Sequence, residues 1–472
     1  MPRRSAAHGD SSCVPRSIPE YAGRQDGGLA RRSRWLRGAP AGAGGAPVSA
    51  GEGATMMTPN QAAKGCPVLH FKPDAPGFDA NPYPTYTELR ESAPVYFWPD
   101  AQSYVVSRFD DVAAVLRDPR LATDPVAAGL RAPDAGLPEA IRGPFERSLF
   151  RLAPKDHARV RRAVSPAFTP RACDRLRPMI QRIVDEALAP FEGKGEIEVA
   201  EFADFIPLRV ISAMLDIPGA HEKTFRDFGE ALIKTIDPRL TPEAYAAVVA
   251  PVPAGMALLR ELIAERRSRL GDDLLSTLLR AEAEGDRLSE DEMLGLVAAI
   301  IAAGSETTVH FICFGVMSLL CVPERAAAVR AEPALLRSAM EELLRFDNFG
   351  KGGIVRYCTE DVEIGGVTMA RGSIIVAILP AALRDPRAIP DADRYDPRRQ
   401  HEEILSFGLG PHYCLGASLA RLEGEIAVGT LLRRTADMRI VGEPAYAGHP
   451  TLRKLSSLRV AVTPAARSEV AR

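Results

Sequence analysis

Cysteine is scarce and unpaired here. There are seven, an odd number, at positions 13, 66, 173, 313, 321, 358 and 414, and no two form a Cys-x-x-Cys pair. That pattern argues against a disulfide framework and a zinc site, and for a reducing compartment. Long hydrophobic runs are also missing. The longest covers residues 294–305, stops at Glu306 and is too short to cross a bilayer. No signal-peptide core follows the first residues. Neither sign of charge dominates: 59 basic against 61 acidic side chains leave a net charge of −2, so nothing points to nucleic acid. These absences lead us to expect a cytoplasmic protein without a membrane anchor, and we expect a monomer.

What is present is ordinary globular composition, 46% hydrophobic and 25% charged over 472 residues, enough to bury a large core. Residues 1–55 stand apart, with eight Arg, no Lys, four acids and tracts of Gly, Ala, Ser and Pro. Such a segment buries too little apolar surface to offset its ordering entropy. Three readings stay open: a disordered tail, an upstream start before Met56 and Met57, or an Arg-rich transit peptide. We expect a leader at 1–58, one folded unit at 59–466 and a tail at 467–472. Within that unit helical patterns dominate. Short β-like pieces fall at 94–106, 362–368 and 373–378, with a hairpin signal at Gly365-Gly366. The expected fold class is mainly α with small β-sheets (α+β).

One helix is marked at both ends. Ser289 and Glu292 spell a capping box, and Pro323 ends the pattern after Cys321. About 33 residues at 1.5 Å each span roughly 49 Å. A helix so long and apolar is expected to cross the domain, buried on every side.

Two stretches carry chemistry. The loop 407–416 reads Phe-Gly-Leu-Gly-Pro-His-Tyr-Cys-Leu-Gly. A thiolate ligand to iron needs a cysteine on backbone that approaches the metal closely and donates N–H bonds to sulfur. Gly408, Gly410 and Gly416 suit tight turns, including positive φ, and the helical sequence after Gly416 puts the sulfur near a helix N-terminus. A lone cysteine in a glycine-rich turn would be read as a buried structural thiol; the full string points to a metal. The second stretch, Ala303-Gly-Ser-Glu-Thr-Thr308, breaks several rules inside one apolar helix. A mid-helix Gly costs about 1 kcal/mol, a buried Glu is costly unless paired, and Thr307 can bond back to a carbonyl and bend the helix. Taken alone, it reads equally as a kinked helix with a solvated Glu or as a functional site.

The loop resembles the haem-binding signature of the cytochrome P450 family, Phe-Gly-x-Gly-x-His-x-Cys-x-Gly, at every specified position, and the likeness extends over about residues 67–464. It implies the P450 fold and haem b (iron protoporphyrin IX) ligated by Cys414. Phe407, Gly408, His412 and Gly416 would lie in the cofactor loop. It implies that Glu306 and Thr307 deliver protons during dioxygen activation, with Ala303 and Gly304 leaving room for dioxygen and substrate. His157, Arg161, Arg356 and His412 would bind the haem carboxylates. Arg159 and Arg162, on the same basic stretch, belong either to a solvated face or to a surface for an acidic redox partner. Glu342, Arg345 and Arg399 would form a structural trio. Substrate would meet Ile300, Ala303, Gly353, Ile354 and Leu455.

Residues 347–353, Asp-Asn-Phe-Gly-Lys-Gly-Gly, depart from the Ser-Pro of many bacterial members. Either small residues there make room for a bulky ligand, or the turn is simply looser. Lys351 would meet a polar group on substrate or face solvent. The stretches 156–161, 300–304, 344–348 and 424–429 also resemble a myxobacterial macrolide epoxidase, suggesting bacterial secondary metabolism; terpenoid, steroid and fatty-acid substrates stay open. With 58 residues after Cys414, a stretch too short for a flavin domain, NAD(P)H electrons are expected through an external ferredoxin and reductase. A peroxide-driven peroxygenase and a non-catalytic haem ligand-binding protein are the rival readings. The acid–alcohol stretch counts against both.

Overall fold

The computed structural model describes residues 71–131, 142–143, 146–234, 242–283, 288–400 and 405–465. The leader, the tail and both boundaries expected for the folded unit lie outside the described residues.

The central element is the helix Glu290–Cys321, 32 residues long. Its capping box forms as the sequence spells it. Ser289 Oγ accepts the Glu292 N–H at 3.2 Å, and the Ser289 N–H donates to Glu292 Oε2 at 2.8 Å. Glu292 also takes the guanidinium of Arg159, so the cap fastens this helix to the helix Pro154–Val164. Arg159 is thereby committed inside the fold rather than left as a solvated or partner-binding charge.

The helices Val199–Met214, Glu222–Lys234 and Ala417–Arg434 pack around the central helix. Its expected burial on every side fails along one stripe. Ala303 and Thr307 are exposed, and Ile300 and Gly304 only partly covered. Steps of three and four residues place these four on one face. By length and composition this helix and the stretch Glu243–Ser268 are apolar enough to cross a membrane. For the central helix, 72% of the apolar window is buried inside the fold.

The β-like pieces become small sheets at the edge. A five-stranded sheet runs in the order Val95–Trp98, Ser103–Val106, Ile374–Ala377, Ile354–Cys358, Leu121–Ala122. Its one parallel pairing joins Ser103–Val106 to Ile374–Ala377. Val362–Ile364 and Val367–Met369 form the expected hairpin, with φ of 56° and 77° at Gly365 and Gly366, as a two-residue turn of the primed kind needs. Thus the molecule is mainly helical with small sheets, as expected.

The core is divided in a way that positions the loop. Leu405 and Leu409 are buried with the sheet and the helix Phe109–Arg117. Leu419 and Leu422, just past the loop, are buried with the central helix. The cysteine segment is therefore slung between two hydrophobic clusters.

Candidate active site

The loop closes on itself. The Cys414 N–H donates to the Phe407 carbonyl at 2.9 Å. Gly410 has φ 70°, and a Cβ there would come within 3.0 Å of the Leu116 carbonyl, so both conformation and space demand glycine. Gly408 is also left-handed, but Gly416 is not. Its φ is −83°, and it serves as the N-cap of the Ala417–Arg434 helix. Its N–H donates to the Cys414 sulfur. Cys414 is open on one side yet set within protein. Burial pushes the thiol up, the Gly416 N–H and the charges of Arg161 and Arg421 oppose it, and the net shift is upward.

Beside the loop, four basic groups from three separate segments converge. His157 and Arg161 lie one turn apart on the helix Pro154–Val164, Arg356 is on the strand Ile354–Cys358, and His412 is in the loop. The His157 and His412 rings are 4.2 Å apart. Burial, then the charges of His157, Arg356 and Arg161, push His412 down to about 4. Burial lowers Arg356 to about 10. Arg356 donates to the Val355 carbonyl at 3.0 Å and Arg161 to the Tyr413 carbonyl at 2.5 Å. Among the described residues no carboxylate pairs with any of the four. Donors that repel one another, gathered without an acid, suit a ligand carrying carboxylates.

Thr307 on the central helix donates its hydroxyl to the Ala303 carbonyl at 2.6 Å, the back-bond expected of it. Its proton is thereby committed, and the oxygen can only accept from other groups. Glu306 points elsewhere. Lys454 Nζ lies 2.6 Å from its Oε1, and His449 Nε2 lies 3.7 Å from its Oε2. Burial opposes ionisation of Glu306, but His310, Lys454 and His449 together outweigh it and hold the carboxyl at about 2. Acid and alcohol are chain neighbours, and no hydrogen bond joins them among the described residues.

A family model described as cytochrome P450 matches residues 102–435. The chain is a cytochrome P450. It is 42% identical to the epothilone C/D epoxidase of Sorangium cellulosum over 403 residues, 84% of this chain and 96% of that protein. It is 34% identical to the P450 monooxygenase PikC of Streptomyces venezuelae over 84% of this chain and 94% of the relative. The solved structure of epothilone B-bound P450epoK superposes with a TM-score of 0.77 at 40% identity, covering 84% of this chain and 100% of that one. This P450 is therefore a haem-thiolate monooxygenase, acting with dioxygen and a redox partner on a small molecule. Its relatives include enzymes named as hydroxylases and epoxidases. The open cysteine and the acid-free cluster of donors fit a haem with its two carboxylates.

Below the P450 loop, Glu342 and Arg345 make two hydrogen bonds of 2.8 Å, at 0% and 1% exposure, and Arg399 reaches Glu342 at 3.3 Å. Arg345 also donates to the carbonyls of Leu383 and Ala392, so the pair fastens the helix Leu336–Phe346 to the chain that leads into the loop.

Two glycines of the 347–353 stretch are held close to neighbouring backbone. A Cβ at Gly353, where φ is 71°, would meet the Ala377 carbonyl at 2.7 Å, and one at Gly352 the Thr451 Cα at 2.9 Å. Gly304 likewise lets Ile211 approach; a Cβ there would sit 3.2 Å from Ile211 Cδ1. Lys351 faces neither substrate nor solvent. It is 1% exposed, pairs with Asp79 at 2.7 Å and donates to the Pro73 carbonyl. Of the pocket candidates, Ile300 and Ile354 are half-buried, whereas Leu455 is only 2% exposed within the main core.

Four participants were missed in the sequence. Arg421 lies over the Phe407 ring at 4.3 Å, donates to the Tyr413 hydroxyl at 3.2 Å and pairs with Glu341, bracing the loop. Its place about one turn into the helix after Cys414 was an available signal. His310 was also findable, since it stands four residues after Glu306 on the same helix face. His449 and Lys454 come from a remote segment and left no local signal.

Proposed function

We propose that Cys414 ligates the haem iron, that His157, Arg161, Arg356 and His412 hold the haem carboxylates, and that Glu306 and Thr307 move protons towards bound dioxygen. The observation that carries this reading is the convergence of four basic donors, without an acid, beside the open thiol. When bound, the haem supplies the iron at which dioxygen is reduced and cleaved. The Gly416 N–H and the Arg161 and Arg421 charges favour the thiolate over the thiol. Thr307, with its own proton given to Ala303, accepts hydrogen bonds from the open side of the helix and orients a proton-bearing group there. Glu306, ionised and covered, takes protons from the far side of the helix and passes them on.

The substrate in this reading is a large hydrophobic molecule of the epothilone kind, oxidised by hydroxylation or epoxidation in bacterial secondary metabolism. The names of the relatives support it, as do the half-buried apolar groups Ile300 and Ile354 and the small Ala303. Electrons come from NAD(P)H through an external ferredoxin and reductase, and the protein works as a cytoplasmic monomer. The test is a titration of haem-loaded protein with epothilone D and with terpenoid, steroid and fatty-acid panels, read by haem absorbance. Epothilone D is expected to shift the spectrum as it displaces water, and to be oxidised when NADPH, a plant-type ferredoxin and its reductase are added. A shift and turnover confined to fatty acids would replace the substrate reading. Turnover with peroxide but not with ferredoxin would replace the electron source.

A further inference from the structure

Glu306 is where three segments meet. His310 approaches Oε1 at 3.9 Å from one turn further along the central helix, His449 approaches Oε2 at 3.7 Å, and Lys454 closes on Oε1 at 2.6 Å. Asp204, on the helix Val199–Met214, interacts electrostatically with Lys454, His310, Glu306 and Glu230, the last on the helix Glu222–Lys234.

The two imidazoles differ. His449 Nδ1 accepts the backbone N–H groups of Thr451 at 3.3 Å and Leu452 at 3.2 Å. A backbone N–H only donates, so Nδ1 carries no proton, and the proton of His449 sits on Nε2, the nitrogen facing Glu306. This ring presents a donor to Glu306. His310 is 1% exposed, and neither of its ring nitrogens makes a hydrogen bond among the described residues. Leaving such a group unsatisfied costs its desolvation, and packing alone would be served as well by Leu or Phe. Its Nε2 faces the Glu306 carboxylate at 3.9 Å.

We propose that His310 resupplies Glu306 with protons during turnover, acting through that carboxylate, while His449 is a positioning residue that holds the carboxylate within reach. The step breaks the Nε2–H bond of a His310 imidazolium and forms an O–H bond on Glu306. Glu306 gives the proton up on the Thr307 side, and a hydronium ion from solvent, entering past Lys454, whose side chain is 38% exposed, returns a proton to the ring and leaves water. The inference rests on the Glu306–Thr307 reading above.

The test uses haem-loaded protein reduced with dithionite and mixed with aerated buffer, with return to the ferric state followed by absorbance from pH 5.5 to 8.5 in H2O and D2O. Histidine is the side chain that ordinarily changes charge between about pH 5 and 8. The wild-type rate is expected to fall through an inflection as pH rises, because the donor form is lost, and to be slower in D2O. His310→Gln and His310→Phe are expected to lose the inflection and to be about tenfold slower at pH 6. Retention of the thiolate signature in the reduced carbon-monoxide spectrum shows that the fold is intact, and using both a polar and an apolar replacement separates proton supply from packing. His449→Gln is expected to keep the inflection at a lower rate. A wild-type inflection in both His310 variants overturns the proposal. The same profile in Glu306→Gln overturns the Glu306 reading itself.

Discussion

Cys414 and Glu306 are both acids set within protein, and their surroundings move them in opposite directions. Burial wins at Cys414, where one N–H and two arginine charges do not keep the thiol from shifting upward. At Glu306, an ammonium at 2.6 Å and two imidazoles within 4 Å overcome the same burial and hold the carboxyl at about 2. Direct contact between opposite charges outweighs desolvation, whereas charge at longer range only reduces it. In the reading proposed above, a metal would complete the thiol side, since a coordinating cysteine is deprotonated outright. The carboxylate side is already ionised by the protein alone.

The largest expected effect tests the thiol half of that contrast. Cys414→Ala should abolish the thiolate signature in the reduced carbon-monoxide spectrum, and its survival would overturn the assignment of the ligand. Next comes the scaffold beneath the loop. Arg345→Ala leaves the fully buried Glu342 with Arg399 and the Asp396 N–H among its partners, which should lower stability by about 3 kcal/mol in denaturant titrations. A loss below 1 kcal/mol would mean that the pair is not what fastens the helix to the loop.

On the other side of the contrast, Thr307→Ala should leave the haem spectrum intact. It should increase the peroxide formed per NADPH about tenfold with a ferredoxin system. Unchanged peroxide yield would remove Thr307 from oxygen chemistry.

The smallest expected effect sharpens the comparison most. Glu306 is depressed when folded, so its ionic contribution to stability is present above the unfolded value, about 4.3. It is lost as pH falls towards about 2. Lys454→Met removes the nearest cation and leaves burial to raise the carboxyl. The stability difference between wild type and variant should be constant above about pH 5 and shrink below about pH 4. A difference independent of pH would mean that Lys454 contributes packing rather than charge.

The legibility of the two sides differs for the same reason. The loop is one contiguous string, and its glycines, cysteine and following helix could be read in order. The capping box, the helix end at Cys321, the Gly365-Gly366 turn and the dominance of helix were equally local. Where expectation failed, a partner distant in sequence decided the outcome. Gly353 is packed against the Ala377 carbonyl. Lys351 turns inward because Asp79 waits there, and Arg159 is taken by Glu292.

By itself, the sequence determined the family, the helix that crosses the fold, the cysteine and the acid–alcohol stretch, because each is written in neighbouring residues whose chemistry or periodicity is local. Only the tertiary structure decided where Glu306 points and how it is charged. His449 and Lys454 lie more than 140 positions away in the chain, and electrostatic coupling depends on distance in space, which spacing along the chain does not record.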